Sequence, residues 1–315
     1  MASVCFEVYI TDSKIMDTMF ENNGERKQKI KAILYAILAA VLYALMTPIA
    51  KLMQTDVGPM AEAGLLYLGA GIGMSLIYII QQKKGVKVSN PPVSKEDLKY
   101  ALAMILLDML APIFLLIGLS SSDPESVSLL NNFEIVATAL IAVFLFHEKA
   151  KRKLIVSISL ITLSCMLLSL DSENALRFSS GSLFVLLACI CWGFENNCTS
   201  SLSDKDTRQI VMIKGLGSGS ASLLLSLFLH ESFGSVASCI TVMVLGFLSI
   251  GMSVYFYVIA QSRIGAARTS AYYAVSPFIG AFLSLLIFHQ MPGKLFWIAL
   301  SIMAIGVYID VKDQD

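Results

Sequence analysis

Ten apolar runs leave this chain few ways to fold. They cover residues 31–52, 61–81, 98–119, 125–146, 153–170, 180–200, 209–229, 236–260, 266–288 and 294–310, and about 20 residues are what a helix needs to cross roughly 30 Å of hydrocarbon. Inside lipid no water serves the backbone, so only helices and closed barrels span it, and runs of this length select helices. Composition agrees, because only 15% of the residues are charged and 56% are hydrophobic, whereas a soluble domain carries about 25% charged residues. The fold class expected is an all-α integral membrane protein with ten transmembrane helices.

The connections are short. The longest, Gln82 to Lys95, holds Lys83, Lys84, Lys87, Asn90, Pro91 and Pro92 and leaves no room for a separate domain. Residues 1–28 are polar, lack the apolar core and small-residue cleavage site of a signal peptide, and read as a cytoplasmic tail. A net charge of +0 argues against a nucleic-acid partner. The six cysteines lie mostly inside apolar runs without zinc-ligand spacing and read as small buried hydrophobes. No His-Glu-x-x-His occurs and the three histidines sit near the ends of runs, so neither an enzyme nor a metal or other cofactor is expected.

Lysine and arginine set the orientation. Arg26, Lys27, Lys29 and Lys31 precede the first span, five lysines lie from Lys83 to Lys99, and Lys149, Lys151, Arg152 and Lys153 separate the fourth and fifth spans. Lys205 and Arg208 follow the sixth span, and Arg263 and Arg268 flank the turn between the eighth and ninth. The alternate turns are nearly bare. Both termini are therefore expected in the cytoplasm, which also requires an even number of spans.

Shifting the sequence by 142 positions aligns Phe114 through His147 with Phe256 through His289 without a gap. Ser120 then meets Ser262, Ser128 meets Ser270, Ala139 meets Ala281, and Phe146-His147 meets Phe288-His289. A shift of 149 sets Tyr43-Ala44 against Trp192-Gly193. Two five-span repeats follow, 29–172 and 178–312, and an odd number of spans per repeat makes the second enter the membrane from the opposite side. Such inverted repeats are an architecture of secondary transporters, with the solute site near the midplane between them.

The run Tyr43-Ala44-Leu45-Met46-Thr47-Pro48-Ile49-Ala50-Lys51, its counterpart beginning Trp192-Gly193, and the two blocks ending in Phe-His also carry a resemblance. Over about residues 30–310 the chain resembles the ten-helix EamA-type members of the drug/metabolite transporter superfamily. Many of them have Trp-Gly in the first helix and an acidic residue after the ninth, where this chain has Tyr43-Ala44 and Gln290. The resemblance implies electrochemically driven movement of small metabolites, commonly export, with no covalent cofactor.

Polar residues inside the spans mark the candidate site. At about 100° per residue Ser128, Asn131, Glu134 and Thr138 share one helical face, with Asn132 beside it. Their repeat partners are Ser270, Tyr273, Ser276 and Gly280, neutral and with an aromatic, so the lining is acidic on one side only and suits a zwitterionic or cationic solute. The competing reading makes Asn131 and Asn132 interhelical glue with Glu134 paired locally. Glu195, Asn196 and Asn197 form a second group in the sixth span, on the pathway or at a helix contact, and consecutive amides suggest a locally irregular helix. Asp108 lies one turn before Pro112, either on the pathway or in a buried pair with a residue such as Lys214. Any of the three carboxylates, uncharged in one access state, could carry a proton.

Gly69-Ala70-Gly71-Ile72-Gly73 and Gly215-Leu216-Gly217-Ser218-Gly219 read as close-packing surfaces rather than phosphate loops. Lys51 is expected to snorkel, and His147 and His289 to cap helix ends. The function expected is secondary active transport of a small polar solute across the cytoplasmic membrane, with a channel or sensor as the alternative. The partners are the solute and the lipid bilayer, and a homodimer is compatible with the sequence.

Overall fold

The computed structural model describes residues 27–46, 57–85, 90–120, 130–149, 151–169, 180–288 and 294–312. Every regular element among them is helical. In chain order these are α1 (27–44), α2 (Pro59–Lys83), α3 (Leu98–Ser120), α4 (Phe133–Phe144), α5 (Arg152–Ser169), α6 (Ser180–Ser201), α7 (Thr207–Phe228) and α8 (Val236–Gly246). A π-helical turn (Phe247–Gly251) joins α8 to α9 (Met252–Tyr273), followed by α10 (Ser276–Phe288) and α11 (Lys294–Lys312). Lys51, Pro48, Ser128, His289 and Gln290 lie outside the described residues.

Six helical stretches among the described residues are long and apolar enough to cross a membrane: Pro59–Lys83, Leu98–Leu115, Gly181–Ser201, Thr207–Phe228, Val236–Tyr273 and Leu295–Lys312. Other apolar runs are represented by shorter helices, with 12 residues in α4 and 13 in α10. Large side chains such as Leu34, Leu102, Phe228 and Trp297 point outward, a surface suited to lipid rather than to water.

One break falls in the turn expected between the eighth and ninth spans, and two others interrupt expected spans. Gly265, at φ 80 and ψ 173, bends the chain inside α9 in a conformation that L side chains avoid. Ala274 and Val275 separate α9 from α10, because Pro277 has no N–H to offer the carbonyl of Tyr273 four residues earlier. Asn132 forms a turn between the helical residues 130–131 and α4, so the fourth span is bent at the position that matches Ala274 in the repeat alignment. The irregularity expected at the amides of the sixth span is not there: α6 runs unbroken through Asn196 and Asn197, whose side chains bond to α4 instead of to their own turn alone.

α2 packs on α7, α5 on α11, α3 on α6, and α4 also on α6. The glycines of α2 and α7 are the reason that pair approaches so closely: a Cβ on Gly71 would stand 2.6 Å from the backbone N of Leu216, and one on Gly219 2.7 Å from the N of Leu68. The expectation of close-packing surfaces holds. Backbone contact of this kind replaces the hydrophobic drive that is absent between helices in lipid. α1 packs Ala32, Ile33 and Ala36 against Ala260, Ile264 and Tyr272 of α9. Between α5 and α11, Ser157 donates to the carbonyl of Gly306 at 2.8 Å and Ser164 to that of Ala299.

The α2–α7 pair is also fastened at both ends. Gly58, the N-cap of α2, donates to the carbonyl of Ser232 at 2.8 Å, and Asp206, the N-cap of α7, donates to that of Pro91 at 2.8 Å. Glu231 accepts from the N–H of Ala61 at 2.8 Å, and Asp206 accepts from that of Arg208 at 3.0 Å. Each helix start is thus satisfied by a carboxylate that also complements its dipole.

Candidate functional site

The bends at Asn132 and Ala274 and the proline Pro112 inside α3 line a cavity of about 390 Å³ between the helices. That is room for a small metabolite. Its walls come from α1–α7, the π-helical turn, α9 and α10.

One side of the cavity is charged. Lys214 of α7 places Nζ 2.7 Å from Glu195 Oε1 of α6 and 3.4 Å from Asp108 Oδ2 of α3. Thr199, one turn beyond Glu195 on the same face, donates its hydroxyl to Glu195 Oε1. Ser218, one turn beyond Lys214, donates to Asp108 Oδ2 at 3.1 Å. Of the two readings left open for Asp108, the buried pair with Lys214 is present, and the residue also lines the cavity.

The other side is aromatic around one carboxylate. Glu134, in the first turn of α4, accepts from Asn196 Nδ2 at 3.1 Å. Among the described residues no lysine or arginine stands within ion-pair distance of it. Tyr273 packs between Tyr43 and Tyr257, with ring centroids 5.4 Å and 5.1 Å away. Tyr257 donates to Asn196 Oδ1 at 3.1 Å, so one amide joins the carboxylate to the aromatic group.

The cavity thus brings together Asp108, Asn131, Asn132, Glu134, Glu195 and Asn196 with Tyr273 and Ser276. Thr138 and Asn197 stand apart from it. Thr138 accepts from Asn196 at its hydroxyl and from Asn197 at its carbonyl, so both residues lock α4 to α6. A Cβ on Gly193 would stand 2.9 Å from the N of Thr138, which shows how tight that crossing is. Ser128 lies outside the described residues.

Sequence reasoning missed Tyr43, Tyr67 and Tyr257 as part of the lining. Tyr257 was visible in principle: Ser253, Tyr257 and Gln261 recur every four residues in an otherwise apolar span, a polar stripe on one helical face. Ser253 accordingly shares a hydrogen bond with Tyr273 at 3.3 Å, and Gln261 donates to the carbonyl of Asn196 at 3.0 Å.

A curated protein of Methanothermobacter thermautotrophicus, described as an uncharacterized transporter, is 22% identical over 96% of this chain and 92% of its own length. A crystal structure superposes with a TM-score of 0.72, covering 88% of this chain and 97% of that one at 16% identity, a likeness of fold alone. The model of the EamA-like transporter family matches twice, over residues 30–170 and 179–311. The chain is a multi-pass membrane protein and belongs to the EamA-like transporter family.

Proposed function

We propose that this protein is a secondary transporter that moves a small polar solute through the cavity by alternating access, with an amino acid-like zwitterion or a cation as the favoured solute. One observation carries the reading: among the described residues the side-chain hydrogen bond to the carboxylate of Glu134 comes from Asn196, so the solute-facing carboxylate is held across the boundary between the two matched segments. Motion of one segment against the other would therefore change the carboxylate's surroundings directly.

Ten spans arranged as two inverted repeats, with both termini cytoplasmic, complete the proposal. The exchange of helix contacts supports it: α2 packs on α7 and α5 on α11, each pair occupying matching places in the two segments. α3 on α6 is answered by α9 on α1. The basic residues of alternate connections support the cytoplasmic placement of the termini and the cytoplasmic membrane as the site of action. Export is the direction the family favours. The described cavity lining contains no histidine, and its chemistry fits binding rather than covalent catalysis.

Purified protein in liposomes, offered radiolabelled amino acids, amines and sugars in turn, tests this reading. Saturable flux of one class is expected. Conductance that does not saturate would make the protein a channel, and binding without flux would make it a sensor.

A further inference from the structure

The charged side of the cavity does not balance. Asp108, Glu195 and Lys214 are each more than nine-tenths buried and form one connected cluster. Among the described residues two carboxylates and one ammonium leave one negative charge in excess, and a buried charge without a partner is either compensated or neutralised by a proton. The other described groups that touch the cluster are neutral: Tyr67 from α2, Thr199 from α6 and Ser218 from α7. Of the titratable groups farther round the cavity, Glu134 adds a second negative charge, and Tyr43 and Tyr257 add no positive one.

The hydrogen bonds distinguish the two carboxylates. Glu195 Oε1 takes the short contact from Lys214 and the hydroxyl of Thr199, both of which favour the anion. Asp108 has the longer contact to Lys214 and the hydroxyl of Ser218 on Oδ2, while Oδ1 meets only the hydroxyl of Tyr67 at 3.5 Å, the outer limit of a hydrogen bond. A proton on Oδ1 would reverse that contact and let the acid donate to the tyrosine oxygen. Pro112 strengthens the position: it leaves the main-chain carbonyl of Asp108 without its helical donor, beside the cavity that both residues line.

We propose that Asp108, Lys214 and Glu195 form a proton-binding site, distinct from Glu134, that takes one proton at Asp108 Oδ1 and exchanges it with the cavity. An O–H bond forms on the carboxylate as an O–H bond of a hydronium ion in the cavity breaks and leaves water, and release to water reverses both changes. Lys214 keeps its charge throughout and holds Glu195 as the anion. The inference rests on the reading of the cavity as a transport pathway and supplies that pathway with a coupling ion.

Infrared spectroscopy of the purified protein in phosphatidylcholine bilayers reads the site without any solute. One component of the protonated-carboxyl C=O absorption that disappears as the pH is raised is expected in the wild type and in Glu134→Gln and missing from Asp108→Asn, so it stands out in the wild-type-minus-variant difference spectrum while the bands of other carboxyls such as Glu148 cancel. Ser218→Ala deletes a donor that favours ionised Asp108, so its band should persist to higher pH; this small change keeps the proposal testable if Asp108→Asn does not fold. A wild-type-minus-Asp108→Asn difference spectrum without a titrating component, or a component that is lost in Glu134→Gln or ignores Ser218→Ala, would overturn the assignment. Because no flux is measured, its failure is separate from failure of the carrier reading, which the liposome assay decides.

Discussion

Asn196 of α6 reaches into α4 and donates from Nδ2 to Glu134 Oε1 at 3.1 Å while its own carbonyl oxygen Oδ1 accepts from Tyr257. A single amide therefore fixes the carboxylate on one side and the aromatic wall on the other. Glu134→Gln keeps an acceptor for Asn196 but removes the charge that would meet a cationic group. Flux in liposomes should fall by at least about tenfold, equivalent to roughly 1.4 kcal/mol of lost interaction, with the thermal midpoint little changed. Asn196→Ala should lose flux as well and also destabilise by about 1–3 kcal/mol, since it leaves buried partners unsatisfied. Unchanged flux in Glu134→Gln would remove the residue from the pathway.

The helical class, the family and the polar residues of the cavity were legible because a polar side chain in an apolar run has few uses. Asp108, Glu134 and Glu195 stood out on that ground alone. What each does was legible only in part: a pair of Asp108 with Lys214 was one of the two readings, but that Glu195 shares the same ammonium, which stands within 3.4 Å of both carboxylates, was not, because partners in a bundle come from distant turns. Thr138 illustrates the limit. It shares a helical face with Glu134, but α6 packs so close at Gly193 that the hydroxyl is spent on a helix contact. The bend at Asn132 was also hidden, since no proline or glycine marks it, whereas Pro277 announces its counterpart.

The crossing of α2 and α7 should tolerate no side chain. A Cβ on Gly71 or Gly215 would press on backbone rather than on a flexible tip, and overpacking of that kind costs about 1–3 kcal/mol even where some relaxation is available. Gly71→Val and Gly215→Val are expected to lower the thermal midpoint in detergent markedly. Gly280→Ala is the control, because its nearest neighbour would be the carbonyl of Ala44 at 3.9 Å. That change should be neutral or stabilising by up to about 1 kcal/mol, the helix preference of alanine over glycine.

Asp206 holds three things at once: the N–H that starts α7, the guanidinium of Arg208 at 2.7 Å, and the carbonyl of Pro91 through its own N–H. Asp206→Ala removes the cap and leaves Arg208 buried with Gln81 and the ring of Tyr78 as its remaining partners. Breaking a buried pair from one side costs about 3–5 kcal/mol. A double-mutant cycle with Arg208→Met, read by thermal unfolding, should recover much of that loss. Additive effects would show that the two side chains do not depend on each other.

Glu148, in the connection after α4, accepts from the N–H of Ala266 at 3.2 Å, just beyond the bend at Gly265. Burial raises its carboxyl above the ordinary glutamate range, against the opposing pull of the N–H groups of Ala267 and Ala266 and of the charge on Arg268. A raised value in the folded state means that the folded protein binds this proton more tightly than the unfolded chain does. The contribution to stability is then complete below the unfolded value and is lost as pH rises through the folded one. The thermal midpoint of the wild type should therefore decline across a window beginning at the ordinary glutamate range and extending above it. Glu148→Gln keeps an oxygen for Ala266 and cannot titrate, so its midpoint should decline less steeply than that of the wild type across the same window. An identical slope in the variant would assign the pH dependence to another group and leave the Glu148–Ala266 contact as a pH-independent tie between the two segments.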